Sequence, residues 1–306
     1  MYDLIIIGAG PAGITAGVYA ARKRLSTLVI CSDIGGQAAW SGDIENYTGY
    51  QFITGPELAL KFEEHIRKFN IELKEDEVAL DLTKAGEIIS VKTNKSLYQA
   101  KSVIVASGKR TKELNIPGEK AFKNKGLSYC ATCDGPLFSG KSVAIIGGGN
   151  SALDAAAQLV RIAKEIHIIN IAPALTGDEI MQENIRNNDM VKIYNNTKVL
   201  AVLGEKMVTG IKILHEGKEE LLPVEGVFVE IGLLPNTDFA NILEKNELGE
   251  IKVNAYNETN IKGIYAAGDV TNVIEKQIII AAGEGSKAAL RVFHYLSRHK
   301  FNSSNE

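Results

Sequence analysis

Two cysteines separated by two residues form a dithiol that can close and reopen. Cys130-Ala131-Thr132-Cys133 is such a pair, and Asp134 follows it directly. The spacing stabilises one thiolate and draws its pKa from about 8.5 toward 7 or below. A carboxyl group next to the second sulfur can hand a proton to a leaving thiolate or take one back. Zinc uses the same spacing, but a structural zinc site wants four ligands, typically from two such pairs. The only other cysteine is Cys31, read as a small buried hydrophobe, and the five histidines are scattered without ligand spacing. A lone CxxC in a cysteine-poor chain reads as redox chemistry, and no metal is expected.

The rest of the chain has to position that pair. It has 306 residues, 45% hydrophobic and 23% charged, which is enough for two domains. A net charge of -3 gives no reason to expect a nucleic-acid partner. A working dithiol points to a reducing cytosol. Met1 runs straight into the strand-like Tyr2-Asp3-Leu4-Ile5-Ile6-Ile7 with no charged leader. No apolar run approaches the ~18 residues of a membrane span. A cytoplasmic protein that does not engage a membrane is expected.

The opening strand leads into Gly8-Ala9-Gly10-Pro11-Ala12-Gly13, then an amphipathic stretch, Ile14 to Arg24, and a second strand, Thr27 to Cys31. In this strand–turn–helix–strand pattern the glycines allow a tight turn, close approach of pyrophosphate, and close helix packing. Asp33, twenty residues after Gly13, either holds a ribose hydroxyl or is a surface turn residue. The loops Gly35-Gly36-Gln37 and Asp43 to Gly49, which contains Asn46, lie beside this nucleotide site. Pro56 to Lys68 has helical spacing. Strands near 71–73, 78–82 and 88–93 predict a small antiparallel sheet, and Ser102 to Gly108 returns to the parallel one. Around Pro117 the chain is expected to cross to another domain.

That domain repeats the first. Ser142 to Ile146 is a strand, Gly147-Gly148-Gly149-Asn150-Ser151-Ala152 a GxGxxA turn, Leu153 to Ala163 a helix, and Ile166 to Asn170 a strand. Two such units imply an internal duplication. Gly268 then ends a strand so that Asp269 can approach a phosphate or ribitol, or simply closes a turn. Gln277 to His299 is a last helix. The fold class expected is α/β with two Rossmann-like dinucleotide-binding domains of three layers (ββα), the second inserted in the first: residues 1–112 and 239–306, and residues 113–238.

These motifs, with Glu45-Asn46-Tyr47 and Lys276-Gln277, resemble the low-molecular-weight thioredoxin reductases over essentially the whole chain. The C-terminal half is also similar to the flavoprotein subunit of alkyl hydroperoxide reductase, notably at Gly232-Leu233-Leu234-Pro235-Asn236-Thr237. The resemblance implies an enzyme with FAD in the first domain. Gly8, Gly10 and Gly13, with Pro11 and Ala12 between them, would take the pyrophosphate, and Asp33 would lie near the adenosine ribose. Gly36, Gln37 and Asn46 would lie near the flavin ring, and Gly268-Asp269 at the ribityl-phosphate end. Gln277 and Ile278, at a helix start, would face the pyrimidine edge. Cys133 would face the flavin, Cys130 would attack the partner disulfide, and Asp134 would donate the proton. The resemblance also implies a homodimer, a thioredoxin-like partner, and a second domain that rotates between flavin and partner.

One stretch departs from that family. Its usual members end the strand after the second glycine turn in His-Arg-Arg-Asp-x-Phe-Arg, whose arginines bind the extra phosphate of NADPH. Here the positions read Asn170-Ile171-Ala172-Pro173-Ala174-Leu175-Thr176. The glutamate that NADH-using relatives carry at position 170 is absent too. Ferredoxin is therefore the expected donor, as in the ferredoxin-dependent flavin enzymes that the chain resembles here, ahead of NAD(P)H. The alternatives are NADH read by Asn170 or a nearby acid such as Asp178, and NADPH held weakly through Arg186 or a lysine. A different class, a ferredoxin/nicotinamide flavin oxidoreductase with an incidental dithiol, also stays open. Lys120, Lys123 and Lys125 would steer an acidic partner or form a solvated face. His299 and Phe301, past the last helix, are candidates to cover the flavin.

Overall fold

The computed structural model describes residues 1–41, 43–44 and 46–299, apart from the side chains of Asp43, Thr132 and Cys133. The chain divides into two compact units, Met1–Arg110 with Leu234–Glu306, and Thr111–Leu233.

In the first unit the strand Tyr2–Ala9 runs parallel to Thr27–Ile34 on one side and Leu97–Val105 on the other. A central parallel strand is buried on both faces and must be apolar throughout. Leu4 and Ile6 accordingly join one core cluster while Ile5 and Ile7 join another. The helices Pro11–Arg22 and Ile278–Arg298 cover the first of these faces.

The antiparallel strands do not form a separate sheet as expected. Ala79–Ala85 and Ile88–Thr93 join the main sheet through the N-terminal half of Leu97–Val105. The C-terminal half of that long strand pairs instead with Ile264–Ala266, in parallel. Glu72–Lys74 is not part of the antiparallel set at all, because it pairs parallel with Thr27–Ile34 at the far edge. All of this makes one seven-stranded sheet. The short run at 71–73 lacked any pattern that would tell a parallel edge strand from an antiparallel one.

The second unit repeats the plan. Its five-stranded parallel sheet has the order Leu127–Ser128, Gly226–Val229, Ser142–Ile146, Glu165–Ile169, Val191–Tyr194. As in the first unit, the strand before the glycine turn pairs with the next strand and with a later one. The helix Asn150–Leu159 packs on one face. A three-stranded antiparallel sheet, Lys198–Gly204, Val208–His215 and Lys218–Leu222, packs on the other through Val199, Val202, Ile211 and Ile213. This unit therefore has the expected ββα layering. Among the described residues, no helix is long and apolar enough to cross a membrane.

Candidate flavin and dithiol sites

A dinucleotide pyrophosphate needs open backbone amides and no Cβ in its way. Gly10 caps the helix Pro11–Arg22 without any side-chain hydrogen bond, so its first amides are left for a ligand. Gly13 lets the helix rest on the strand, since a Cβ there would lie 1.9 Å from Gly8 O. Gly8 itself has φ +109 and faces Ala106 O. Gly35 and Gly36 also have positive φ, and they fold back on the turn: Gly35 N donates to Ala9 O at 2.8 Å, and a Cβ on Gly36 would lie 3.3 Å from Gly10 Cα. That return places Gln37 at the start of the short Gly36–Trp40 turn.

The strand carrying Asp33 continues to Ile34, beyond the expected end at Cys31, so Asp33 lies on strand rather than in a turn. It is exposed and accepts from Ser32 Oγ at 3.0 Å. Beside it a cavity of about 520 Å³ is lined by Gly8, Ile30, Cys31, Ser32, Ala79 and Ser107, among others. That volume is in the usual range for a ligand pocket. Cys31 is buried and free, and burial pushes its thiol up to about 12. Arg110 walls the cavity and is held by Asn236 Oδ1 at 2.9 Å and Asp238 Oδ2 at 2.8 Å. Ser107, Arg110 and Asn236 also line it, and in the sequence each lies in a stretch that reads only as strand end or crossing.

At the other end, three segments far apart in sequence meet. Gly268 has φ +78, and a Cβ on it would lie 2.9 Å from Ala12 Cβ and 3.5 Å from Ala281 Cβ. The starts of both long helices therefore flank Asp269. Burial raises the Asp269 pKa above the usual aspartate value, while Lys276 and Lys109 pull the other way. Gln277 caps Ile278–Arg298 with no side-chain bond of its own to the helix, leaving the amide end at Ile278 open. Its Oε1 instead accepts from Asn46 Nδ2 at 3.1 Å. The glycine turn, the open helix ends and this polar pair fit FAD. His299 is not placed to cover the ring edge of its own chain. It stacks on Tyr295 at 4.4 Å, past the far end of a helix 21 residues and thus about 31 Å long. Phe301 lies outside the described residues.

In the second unit Cys130 is disulfide-bonded. It sits before the four-residue helix Ala131–Asp134, and its backbone is pinned by Ser128, whose Oγ accepts from Cys130 N at 3.0 Å. Asp134 N donates to Cys130 O at 3.1 Å, closing the turn between the first sulfur and the acid. The Cys133 side chain lies outside the described residues. Upstream, Tyr129 OH donates to the buried Glu119 carboxylate at 2.8 Å. Lys123 Nζ lies 5.3 Å from the Tyr129 ring centre, and Lys120 and Lys125 are exposed. Among the described residues no group of three or more His, Cys, Asp or Glu could hold a metal ion.

The second glycine turn keeps its form. Gly147 has φ +142, and Gly149 caps Asn150–Leu159 without a side-chain bond. The candidate ribose readers, however, are committed to holding the loop. Asn170 is buried, and its Nδ2 donates to Ala172 O at 3.2 Å, Ala174 O at 2.8 Å and Asn195 Oδ1 at 2.9 Å. Its Oδ1 accepts from Ala172 N at 3.2 Å. Asp178 caps the helix Glu179–Arg186 through Met181 N at 3.1 Å. Arg186 donates to Gln182 Oε1 at 2.7 Å. Thr176 N binds Gly148 O at 2.7 Å and Asp178 N binds Asn150 Oδ1 at 2.7 Å, so the loop is tied to the glycine turn.

Known proteins share this arrangement. The pyridine nucleotide-disulphide oxidoreductase family matches residues 2–285. An NADH dehydrogenase of Ferdinandcohnia aciditolerans is 41% identical over 97% of the chain, and the F component of the alkyl hydroperoxide reductase of Staphylococcus aureus is 43% identical over 97%. The chain spans 58% and 60% of the length of these two relatives. Thioredoxin reductase of Lactococcus lactis in the FR conformation superimposes with a TM-score of 0.86 at 32% identity, covering 98% of this chain and 100% of that one. A ferredoxin-flavin thioredoxin reductase of Clostridium acetobutylicum gives 0.54 at 33% identity, covering 97% and 99%. The chain belongs to the pyridine nucleotide-disulphide oxidoreductase family.

Proposed function

We propose that the chain reduces the disulfide of a small thioredoxin-like protein through Cys130 and Cys133, in the cytoplasm and as a homodimer. The observation that carries this reading is the disulfide at Cys130, set one residue before the helix that bears Cys133 and Asp134, in a chain whose other unit fits FAD. When bound, FAD supplies a two-electron carrier between the donor and the sulfurs. Gly8, Gly10 and Gly13 would hold its pyrophosphate, Gly36, Gln37 and Asn46 would lie near its ring, Asp33 would lie near the adenosine ribose, and Gly268 and Asp269 would meet the ribityl-phosphate end. The open helix end at Gln277 and Ile278 favours negative charge at the ring edge. Cys130 attacks the partner disulfide, Cys133 resolves it, and Asp134 supplies the proton. A Cys133→Ser variant should keep its yellow colour and lose disulfide reduction. Unchanged turnover in that variant would instead favour the ferredoxin/nicotinamide oxidoreductase.

For the donor, the reading is a one-electron carrier protein of the ferredoxin type. It is supported by the commitment of Asn170, Asp178 and Arg186 to structural bonds and by the absence of any lysine or arginine from residues 170–178. A phosphorylated nucleotide would forfeit charge-assisted bonds worth about 1.5–3 kcal/mol each. NADH is the second reading, favoured by the intact, uncapped glycine turn and by the relative named as an NADH dehydrogenase. Anaerobic addition of NADPH, NADH and reduced ferredoxin, each followed by bleaching of the flavin band, decides between them. Bleaching by NADH alone overturns the ferredoxin reading.

A further inference from the structure

Three segments of the first unit meet beside Asp269, and one buried carboxylate joins them. Glu250 is buried next to the turn that Gly268 opens. Its neighbour Ile251 donates its amide to Val270 O at 2.9 Å, and Asn272 N donates to Ile251 O at 3.1 Å. Oε1 of Glu250 takes two lysines at once, Lys109 Nζ at 2.9 Å and Lys276 Nζ at 3.0 Å. Oε2 accepts from Asn246 Nδ2 at 2.7 Å, and Asn246 Oδ1 accepts from Glu250 N at 2.9 Å. Lys276 also donates to Asp269 O at 3.3 Å and to Thr271 O, and it directly precedes Gln277, the cap of the open helix end. Lys109 follows the strand Leu97–Val105, whose last residue accepts from Ala267 N at 2.9 Å. The side chains of Glu250, Lys109 and Lys276 are 7%, 13% and 25% exposed, so water does not readily replace a lost partner. Burial opposes the charge on Glu250, yet the bonds from Lys109, Asn246 and Lys276 hold its pKa below the usual glutamate value. It is a carboxylate at neutral pH. Both lysines also bear on the Asp269 carboxyl. The cluster thus holds two cations and two acids.

We propose that Glu250 is a positioning residue for bound flavin: it holds Lys109 and Lys276 next to Asp269 and offsets one of their two charges, which sets the positive charge that the reduced ring meets. The inference rests on the FAD reading above. Reduction by two electrons and one proton adds one negative charge at the cofactor, and protein charge near the ring tunes that step. The open helix end at Gln277 and Ile278 favours the added charge, and Lys276, directly before it, acts in the same sense. Glu250 acts in the opposite sense while keeping both lysines in place. Removing its charge should therefore make the flavin easier to reduce, and removing Lys109 should make it harder. Removing both leaves the summed charge of the cluster as it was.

The test uses the full-length flavoprotein carrying Cys130→Ser and Cys133→Ser, so that electrons stay on the flavin. Each protein is reduced anaerobically at neutral pH with xanthine and xanthine oxidase beside a reference dye. Against this background Glu250→Gln should raise the ratio of reduced to oxidised flavin at a fixed potential about three- to tenfold, ~15–30 mV for a two-electron couple. Lys109→Met should lower the ratio by a similar factor, and the double variant should return close to the background value. Glu250→Asp, which keeps the charge, should keep the potential even where its FAD dissociation constant rises. A merely structural Glu250 would shift every variant in one direction, the double variant most, and that result overturns the proposal. Equal potentials throughout overturn it as well. Should Glu250→Gln fail to fold, Lys109→Met decides: a lowered ratio upholds the proposal, and an unchanged or raised one overturns it. A protein that takes up no FAD sinks the flavin reading and this inference with it, whereas FAD uptake with unmoved potentials sinks this inference alone.

Discussion

Asn46 Nδ2 donates to Gln277 Oε1 at 3.1 Å across 231 residues of sequence, and this single bond ties a surface loop to the start of the terminal helix. In the proposed reading both residues lie at the flavin ring. Asn46→Ala removes a neutral bond worth about 0.5–1.5 kcal/mol. The expected result is a rise in the FAD dissociation constant of about two- to tenfold and a shift in the flavin absorption band, with the melting temperature of the apoprotein unchanged. Fluorescence titration of apoprotein with FAD measures the first and a spectrum the second. Unchanged affinity and spectrum would place the pair away from the ring.

The two glycines of the first turn should fail differently. Gly13→Ala puts a Cβ 1.9 Å from Gly8 O, so helix and strand must separate at a cost of about 1–3 kcal/mol. Gly10→Ala meets nothing closer than Gly35 O at 3.9 Å and has φ -77, which alanine adopts freely. In the proposed reading its Cβ instead enters the space of the pyrophosphate. Gly13→Ala should therefore lower the apoprotein melting temperature. Gly10→Ala should leave it nearly unchanged and be purified with reduced FAD content. A loss of stability in both variants to the same extent would refute this division of roles.

What the sequence made legible follows from the range of the interactions involved. The glycine turns were readable because backbone conformation and close approach demand a particular residue type at a fixed offset. The redox pair was readable for the same reason. Pairing across the sheet was not: Glu72–Lys74 and the Ala79–Ala85 hairpin take their places from partners far along the chain. Asn170 shows the limit most plainly. As a residue type it suits a ribose hydroxyl, but its amide is consumed by Ala172, Ala174 and Asn195, a set of contacts that no local pattern announces.

Asp269 gives a dependence on pH with a definite sign. Its pKa is raised mainly by burial, so the native state binds this proton more tightly than the unfolded chain does. Below the ordinary aspartate value both states are protonated and the residue contributes nothing. As pH rises past that value the unfolded chain ionises first, and apoprotein stability falls until the native group ionises as well. Asp269→Asn should abolish that loss. The variant apoprotein should be equal to native near pH 3 and more stable at pH 7, by about 1.4 kcal/mol for every tenfold difference in proton affinity between the native and unfolded carboxyl. Denaturant melts at the two pH values test this. A variant less stable at pH 7 would mean that Asp269 is favourably paired rather than desolvated.

Asn170 supplies the last prediction, because its two readings diverge on measurement. As the tie that holds residues 170–178, Asn170→Ala removes four hydrogen bonds and should cost about 2–4 kcal/mol in total. Asn170→Asp should cost more, since one carboxylate oxygen would face Ala172 O, Ala174 O and Asn195 Oδ1, all acceptors, with only the Ala172 amide at the other oxygen to offset its charge. Amide hydrogen exchange over residues 171–178 should quicken in both variants. If Asn170 instead read the ribose of NADH, Asn170→Ala would leave exchange and melting untouched and raise only the NADH concentration needed to bleach the flavin. Faster exchange with unaltered nucleotide response assigns the residue to the loop, and the opposite pair of results returns it to the ribose.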